Sequence, residues 1–323
     1  MIVSCIICTR NRADSLRNTL ASVGKVVLPE GLAVELLVID NGSSDQTPAI
    51  VREARLGSIA VNYIREPRKG LSNARNTALI IAKGEIILFI DDDVIVSKDW
   101  LVKIVRRFID GKCKALMGTI LLSEHLNRSW MEPVHKVWLA ATGDVFEKVS
   151  ELTGASMGFH RSVLEQVPWF DHSLGSGALG FGEDSLFSYQ LMKAGYSLEK
   201  VSGAVVIHCP QSSRLLRSSW LSAASDRGRS NAYLHHHWYH TELKNPLIKA
   251  WYLNAKMNLR RILQPPVSMN SEGCTGWEMS YVQSIAMLRH FSKERRNPRN
   301  YAKQGLVRLD MQGETRPRAL ELR

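Results

Sequence analysis

Residues 2–110 predict an α/β fold, a mixed but mainly parallel sheet flanked by helices, with a helical appendage at the C-terminal end. Three observations carry this. Apolar, β-branched runs alternate with helical patterns through the first 110 residues. Polar residues able to do chemistry collect directly after the strand-like runs. Beyond residue 211 the pattern turns mostly helical and strongly basic. Strands that alternate with helices imply βαβ units and a sheet covered on both faces.

In chain order, 2–7 reads as a strand, 13–23 as a helix and 34–39 as a strand. A helix over 47–54, a strand over 60–64, a helix over 71–82, a strand over 86–90 and a helix over 98–108 follow. The alternation then loosens, with strands at 115–122 and 154–159 on either side of an irregular, Trp-bearing stretch. Residues 175–182 are glycine-rich and predict a tightly turned loop. A helix over 184–194 and a last short strand over 204–208 end the sheet-forming part. Within 211–263, Ile248, Trp251, Ala255, Leu259 and Ile262 follow helical spacing, with Lys249, Lys256 and Arg260 on another face. Gln264-Pro265-Pro266 breaks that helix, and 277–291 predicts a final one. From Glu294 the Arg-rich, Pro-punctuated sequence reads as a disordered tail. The expected organisation is a sheet domain over 1–210, a basic helical appendage over 211–293 and the tail over 294–323.

The 323 residues are 45% apolar and 23% charged, enough for one substantial core and a smaller satellite. No apolar run reaches the roughly 18 residues a spanning helix needs. The opening MIVSCIIC lacks the basic flank and cleavage site of a secretion signal, so it reads as a buried strand and the protein as cytoplasmic. Five cysteines in a chain this long argue against a disulfide framework. Cys5 and Cys8 point to opposite faces of one strand and cannot easily grip one zinc. The formal charge of +11 is unevenly placed: residues 211–323 hold 19 Lys/Arg against 8 Asp/Glu, and the first 210 hold 23 of each. A neutral main domain speaks against nucleic acid as its partner. A basic appendage raises an anionic membrane surface, an anionic acceptor or self-association as its role.

In parallel sheets ligands bind beyond the carboxyl ends of the strands, and the residues there are telling. The first strand runs into Thr9-Arg10-Asn11-Arg12, the second into Asp40-Asn41-Gly42, and the fourth into Asp91-Asp92-Asp93. Three acids after a buried strand are unfavourable unless something cationic relieves them. Asp91 and Asp93 project to one side of an extended segment, as oxygen ligands of a divalent cation should; the competing reading is a solvated acidic turn. Gly182-Glu183-Asp184 opens a helix after the glycine-rich loop. There the acids are either dipole-stabilising or a general base of the kind that contributes on the order of 10²–10⁴ in rate.

The ordered set TRNR, VIDNGSSDQT, REPRKGLSNARNTAL, GEIILFIDDDV, GASMGFHR and GFGEDSLFSYQLMKAGY, spanning about residues 1–210, resembles family-2 glycosyltransferases. The resemblance implies a GT-A fold, a nucleotide diphosphate sugar donor, Mn²⁺ or Mg²⁺, and inversion at the anomeric carbon. It puts Thr9, Arg12, Lys69 and Arg75 near the nucleotide, Asp40 on the base, Asp91 by the ribose or metal, and Asp93 on the metal. It makes Asp184 the catalytic base, with Glu183 binding acceptor or tuning its neighbour. It also brings His208 close to the metal or diphosphate, and gives Gly154, Ala155 and Ser156 to the acceptor side. Asp40 doubles as a turn cap, and Asn73 and Asn76 read as structural, tying the start of their helix.

His235, His236, His237 and His240 invite a second metal reading, but no Glu completes an H-E-x-x-H pattern. Processive synthases of the family carry a Q-x-x-R-W element and membrane spans. Gln211 with Arg217-Ser218-Ser219-Trp220 does not make that spacing, so a non-processive, hexosyltransferase-type enzyme is expected. Its acceptor would be a glycan or lipid-linked glycan in surface polysaccharide or glycolipid assembly, reached from the inner face of the membrane. The alternative is a non-catalytic nucleotide-sugar or glycan-binding module of the same fold.

Overall fold

Strands β1 (Ile2–Thr9), β2 (Ala33–Asp40) and β4 (Ile86–Asp91) are buried along almost their whole length, and β3 (Ala60–Arg65) closes the edge beside β2. Strands buried on both faces need helices on both sides. These are supplied by α1 (Ala13–Val23), α2 (Thr47–Glu53) and α3 (Leu71–Ile81) in the crossovers. The computed structural model, which describes residues 1–28, 30–111, 113–141, 143 and 149–311, continues with β5 (Val94–Val96), α4 (Trp100–Ile109), β6 (Ala115–Leu122) and α5 (Pro133–Trp138). Then come β7 (Met157–His160), α6 (Glu183–Lys193), β8 (Leu198–His208), α7 (Arg217–Tyr233), α8 (Pro246–Leu263) and α9 (Gly276–Glu294).

One eight-stranded sheet results, in the order β3-β2-β1-β4-β7-β6-β8-β5. The four strands β3-β2-β1-β4 are parallel, β7 runs against both β4 and β6, β8 is parallel to β6, and β5 is antiparallel to β8. Two boundaries differ from the sequence expectation. Residues 154–156 form a 3-10 turn leading into β7. β8 starts at Leu198, six residues earlier than the apolar pattern predicts, because Leu198–Val201 is held by main-chain pairing to β6 and needs no apolar face of its own.

The C-terminal helices are built into the same body as the sheet. Trp220 of α7 packs edge-on against Trp130 and His135, in an apolar cluster that also takes in Leu126 and Leu139. A second cluster joins Leu174 and Leu186 to Tyr233, Trp238 and Tyr301. Helix α9 lies on α7 and α8 lies on α9. The α7–α9 approach depends on Gly228, where a Cβ would sit 2.3 Å from the Gln283 carbonyl. On α8 the packed face carries Pro246, Ala250 and Met257, whereas the longer apolar stripe points outward: Ile248, Trp251, Leu259 and Ile262 are exposed.

Residues 295–311 are packed rather than loose, which corrects the expected tail from Glu294; residues 312–323 lie outside the described residues. The reason is a set of polar partners invisible in composition. The hydroxyls of Tyr233 and Tyr301 each donate to Asp171 Oδ2 at 2.7 Å, and Arg308 Nη1 donates to Asp171 Oδ1 at 2.8 Å. Three of the four histidines serve the same segment, and His235 pairs with the Thr241 hydroxyl instead. His236 and His240 Nε2 lie 3.0 Å from the carbonyls of Asn297 and Tyr301, and His237 Nε2 lies 2.9 Å from Glu294 Oε2. Their side chains face separate partners and converge on no common point for a metal.

The Asp171 carboxylate is fully buried, so removing Arg308 leaves an unpaired internal charge, a loss typically about 3–5 kcal/mol. Urea denaturation of Arg308→Met is expected to show a destabilisation of that order. A change below about 1 kcal/mol would mean that the two tyrosines suffice to hold Asp171.

Candidate active site

Strand register sets the site. Thr9 lies opposite Asp40 on the neighbouring strand, and Cys8 lies opposite Asp91, so the ends of β1, β2 and β4 finish level with one another. Beyond that edge opens a cleft of about 1060 Å³. Thr9, Arg12, Lys69, Asp91 and Asp93 line one part of it, Gly154, Glu183 and Asp184 another, and Arg214 and Arg227 come from the appendage.

The three aspartates are treated differently. Asp92 accepts from the Thr9 hydroxyl at 2.7 Å and from Arg12 at 3.2 Å, while burial pushes its carboxyl up to about 7. Burial also works against ionised Asp93, but His208 and Arg12 more than offset it and hold that carboxyl well below the usual range. Asp91 is raised by burial and by the charge of Asp93. Asp91, Asp93 and His208 each offer a ligand atom within 4.8 Å of the others, the one such group among the described residues. His208 Nδ1 lies 2.7 Å from the Leu139 carbonyl and must donate to it, which turns Nε2 toward Asp93 at 3.2 Å. A ring anchored on one nitrogen presents the other in a fixed direction, as metal-binding histidines do. Two carboxylates and one imidazole fit a divalent cation with room for further oxygen ligands.

A buried ion pair supports the other wall. Arg75 Nη1 donates to Glu183 Oε1 at 2.9 Å, and its guanidinium lies 5.7 and 5.2 Å from the rings of Phe89 and Phe170. Burial opposes the Arg75 charge, but Glu183, Asp184 and Asp91 all favour it, so this cation sits between the two acidic groups of the cleft. Burial, and then the Asp184 charge, push Glu183 up while Arg75 pulls it back. Gly154 is required here, because a Cβ would fall 2.0 Å from Arg75 Nη2. Asp184 is half-buried at the start of α6. Its Oδ1 accepts from the Ser185 amide at 2.9 Å, and its Oδ2 faces the Gly154 amide at 3.4 Å.

Most of the residues singled out in the sequence therefore meet: Thr9, Arg12, Lys69, Arg75, Asp91, Asp93, Glu183, Asp184 and His208 all line the cleft. Asp40 does not. It is fully buried, its Oδ1 accepting from the Ser43 amide at 2.8 Å and its Oδ2 from the Tyr63 hydroxyl at 2.7 Å. The geometry is that of the turn cap; Asn41, one residue on, reaches the cleft instead. Arg75 lines the floor but spends its charge on Glu183 and is 3% exposed. Asn76 exchanges hydrogen bonds with the Phe170 backbone, at 2.8 Å to its carbonyl and 2.9 Å from its amide, and so ties α3 in place.

Two arginines were missed. Arg227 of α7 stacks over Trp138 and Phe181 at 4.8 and 4.2 Å, its Nε has no hydrogen-bond partner among the described residues, and burial pulls it down to about 10. Arg214 enters the cleft within electrostatic reach of Arg12, Asp93 and Asp91, and burial lowers it too. A signal for Arg214 existed. Gln211-Ser212-Ser213-Arg214 does have the Gln-x-x-Arg spacing, with Leu215 where the processive element has Trp, and matching on Trp220 concealed it.

Comparison with known proteins agrees with this geometry. The model of glycosyl transferase family 2 matches residues 4–167, and that of glycosyl transferase family group 2 matches residues 86–291. The succinoglycan biosynthesis protein ExoM of Rhizobium meliloti is 30% identical over 115 residues, 35% of this chain and 37% of its own length. The glycosyltransferase AglE of Haloferax volcanii is 33% identical over 207 residues, 64% of this chain and 66% of its own. The chain thus spans less than two thirds of either relative. Among solved structures, the mannosyltransferase PcManGT of Pyrobaculum calidifontis, in complex with GDP-Man and Mn²⁺, superposes with a TM-score of 0.58 at 18% identity, covering 91% of this chain and 86% of that one. S. aureus TarS 1-349 in complex with UDP-GlcNAc gives 0.51 at 17% identity, covering 94% and 93%. At such identities these two likenesses speak for the fold, which is the GT-A type. With matches over half the chain and more, and the motifs gathered at one sheet edge, this protein is a member of glycosyl transferase family 2.

Proposed function

We propose that this chain transfers a single hexose from a nucleotide diphosphate donor, with UDP as the carrier, to a hydroxyl of a glycan or lipid-linked glycan, inverting the anomeric carbon. The observation that carries the reading is one cleft lined by both the Asp91–Asp93–His208 group and the Glu183–Asp184 pair. Polysaccharide assembly is supported by the succinoglycan biosynthesis relative, and a nucleotide-sugar donor by the GDP-Man and UDP-GlcNAc bound in the two solved structures.

In this reading Thr9, Arg12 and Lys69 flank the nucleotide, and Asp91, Asp93 and His208 hold Mn²⁺ or Mg²⁺. A divalent cation there supplies positive charge beside the departing diphosphate. Arg214 and Arg227, which form no ion pair among the described residues, add further positive charge on the appendage side of the cleft. Asp184 accepts the proton of the acceptor hydroxyl as that oxygen bonds to the anomeric carbon and the carbon–oxygen bond to the diphosphate breaks. Attack from the side opposite the leaving group inverts the centre. Glu183, held by Arg75, keeps Asp184 at the helix start and tunes its neighbour. Addition of one sugar per encounter is supported by Leu215 in the Trp position. No helix among the described residues is long and apolar enough to cross a membrane.

A thermal-shift screen of UDP, GDP and dTDP is expected to give stabilisation by UDP that requires Mn²⁺ or Mg²⁺. Asp93→Asn should abolish the metal-dependent part, and a metal response that persists in this variant would remove Asp93 from the ligand set. Asp184→Asn should cut transfer by about 10²–10⁴ while leaving UDP stabilisation intact. Transfer within tenfold of the parent would exclude Asp184 as the base, and donor binding with no turnover of any acceptor would favour a binding module.

A further inference from the structure

Helix α8 places its apolar residues on the wrong side for folding. Leu247, Ile248, Trp251, Leu259, Ile262 and Leu263 fall within about half of the circumference at 3.6 residues per turn, opposite the packed face of Pro246, Ala250 and Met257. Trp251 is 71% exposed and Ile262 75%. Single exposed apolar residues are ordinary, but a continuous stripe along an 18-residue helix, about 27 Å long, is not. Exposed Val267 and Met269 follow close behind in the chain.

The charge around the stripe says what covers it. Between Glu242 and Glu272 the chain has five Lys/Arg and no Asp/Glu. Arg261 turns inward to Glu278 of α9 at 2.7 Å. Lys249 and Lys256 border the stripe along one side, Lys256 Nζ lying 4.5 Å over the Tyr252 ring, while the Arg260 guanidinium stacks 4.5 Å over Trp277 of α9. A second copy docked on this face through its own α8 would offer those cations no acid in return, since α8 holds no Asp or Glu. An anionic bilayer satisfies both parts at once, taking the apolar side chains about 5–10 Å into the headgroup boundary while its phosphates meet the lysines.

The geometry points to α8 as a membrane-surface helix that holds this protein on anionic lipid bilayers through its outward apolar face and the basic rim beside it. Because α8 rests on α9, which rests on α7, whose Arg227 lines the cleft, such docking fixes the cleft relative to the bilayer. The inference is independent of which sugar is transferred.

The test is co-sedimentation of the full chain with phosphatidylcholine vesicles, with and without phosphatidylglycerol, at low salt. The parent protein is expected to pellet with the anionic vesicles, and Trp251→Glu/Ile262→Glu to stay in solution. Neutralising Lys249 and Lys256 together to Gln should weaken anionic binding on the order of 25-fold, about fivefold per charge. All substituted positions face solvent or the rim, so the thermal midpoint and donor hydrolysis without lipid should match the parent. A fall in either would make the face part of the protein's own packing and overturn the proposal. Equal pelleting of parent and Trp251→Glu/Ile262→Glu would overturn it too. So would a parent dimer in sedimentation velocity that this variant dissociates, with no vesicle binding by the parent.

Discussion

Asp91, Asp92 and Asp93 follow five buried apolar residues of β4, and three carboxylates so placed are unstable as anions unless cations or donors reach each of them. Much of the first domain is arranged around that constraint. Thr9 and Arg12 reach Asp92 from the end of β1, Arg12 and His208 reach Asp93, and Arg75 senses Asp91 from α3. These partners come from the end of β1, from α3 and from β8, three places far apart in the chain. They can converge only because the strands end level and β5, directly after the aspartates, pairs with the end of β8 so that Val94 lies opposite His208. The acidic turn is therefore a long-range folding contact as well as a chemical site. A divalent cation at Asp91 and Asp93 would replace protein cations rather than fill an electrostatically neutral gap.

The second acidic pair follows a different logic. Glu183 is buried and neutralised by Arg75, whereas Asp184 next to it is half-buried and, among the described residues, its carboxylate accepts only from main-chain amides. Adjacent carboxylates at a helix start thus divide into one that binds structure and one with lone pairs left for another molecule. Gly154 belongs to this arrangement, since any larger residue would drive Arg75 off Glu183. The small-residue Gly154-Ala155-Ser156 turn reads from sequence as room for a sugar; its first residue is equally room for a guanidinium.

What was legible in the sequence was local. Alternating β-branched and helical segments placed α1 and β6 to the residue and the other central elements to within two or three, because apolar burial is periodic along the chain. The cleft residues were legible for the same reason, since strand ends collect at one edge. Features that depend on partners distant in the chain were not. The half of β8 held only by pairing to β6 has no apolar pattern to betray it. Turn cap and base partner look alike for Asp40 in one dimension; what the fold adds is the Tyr63 hydroxyl on the oxygen that the Ser43 amide leaves open. The Arg-rich stretch after Glu294 has the composition of a tail, and only the folded chain brings Asp171 and three histidines to meet it.

That last contact bears on the site itself. The loop from Asp171 to Gly182, which delivers Glu183 and Asp184, is held at three places. Asp171 is gripped by Tyr233, Tyr301 and Arg308. The Leu174 and Ser176 carbonyls accept from the Ser72 hydroxyl and the Leu71 amide at the start of α3. The Phe181 amide donates to Ser230 of α7 at 3.3 Å. Two of these three anchors come from residues beyond 210. A loop rich in glycine pays the largest entropy on ordering, so it needs such anchors to hold one geometry. The basic C-terminal third is on this account a structural condition of the acidic pair: α7 and the 295–311 segment position Glu183 and Asp184, and α7 also contributes Arg227 to the cleft they face. Its excess positive charge is then free to act elsewhere, on the outward side of α8.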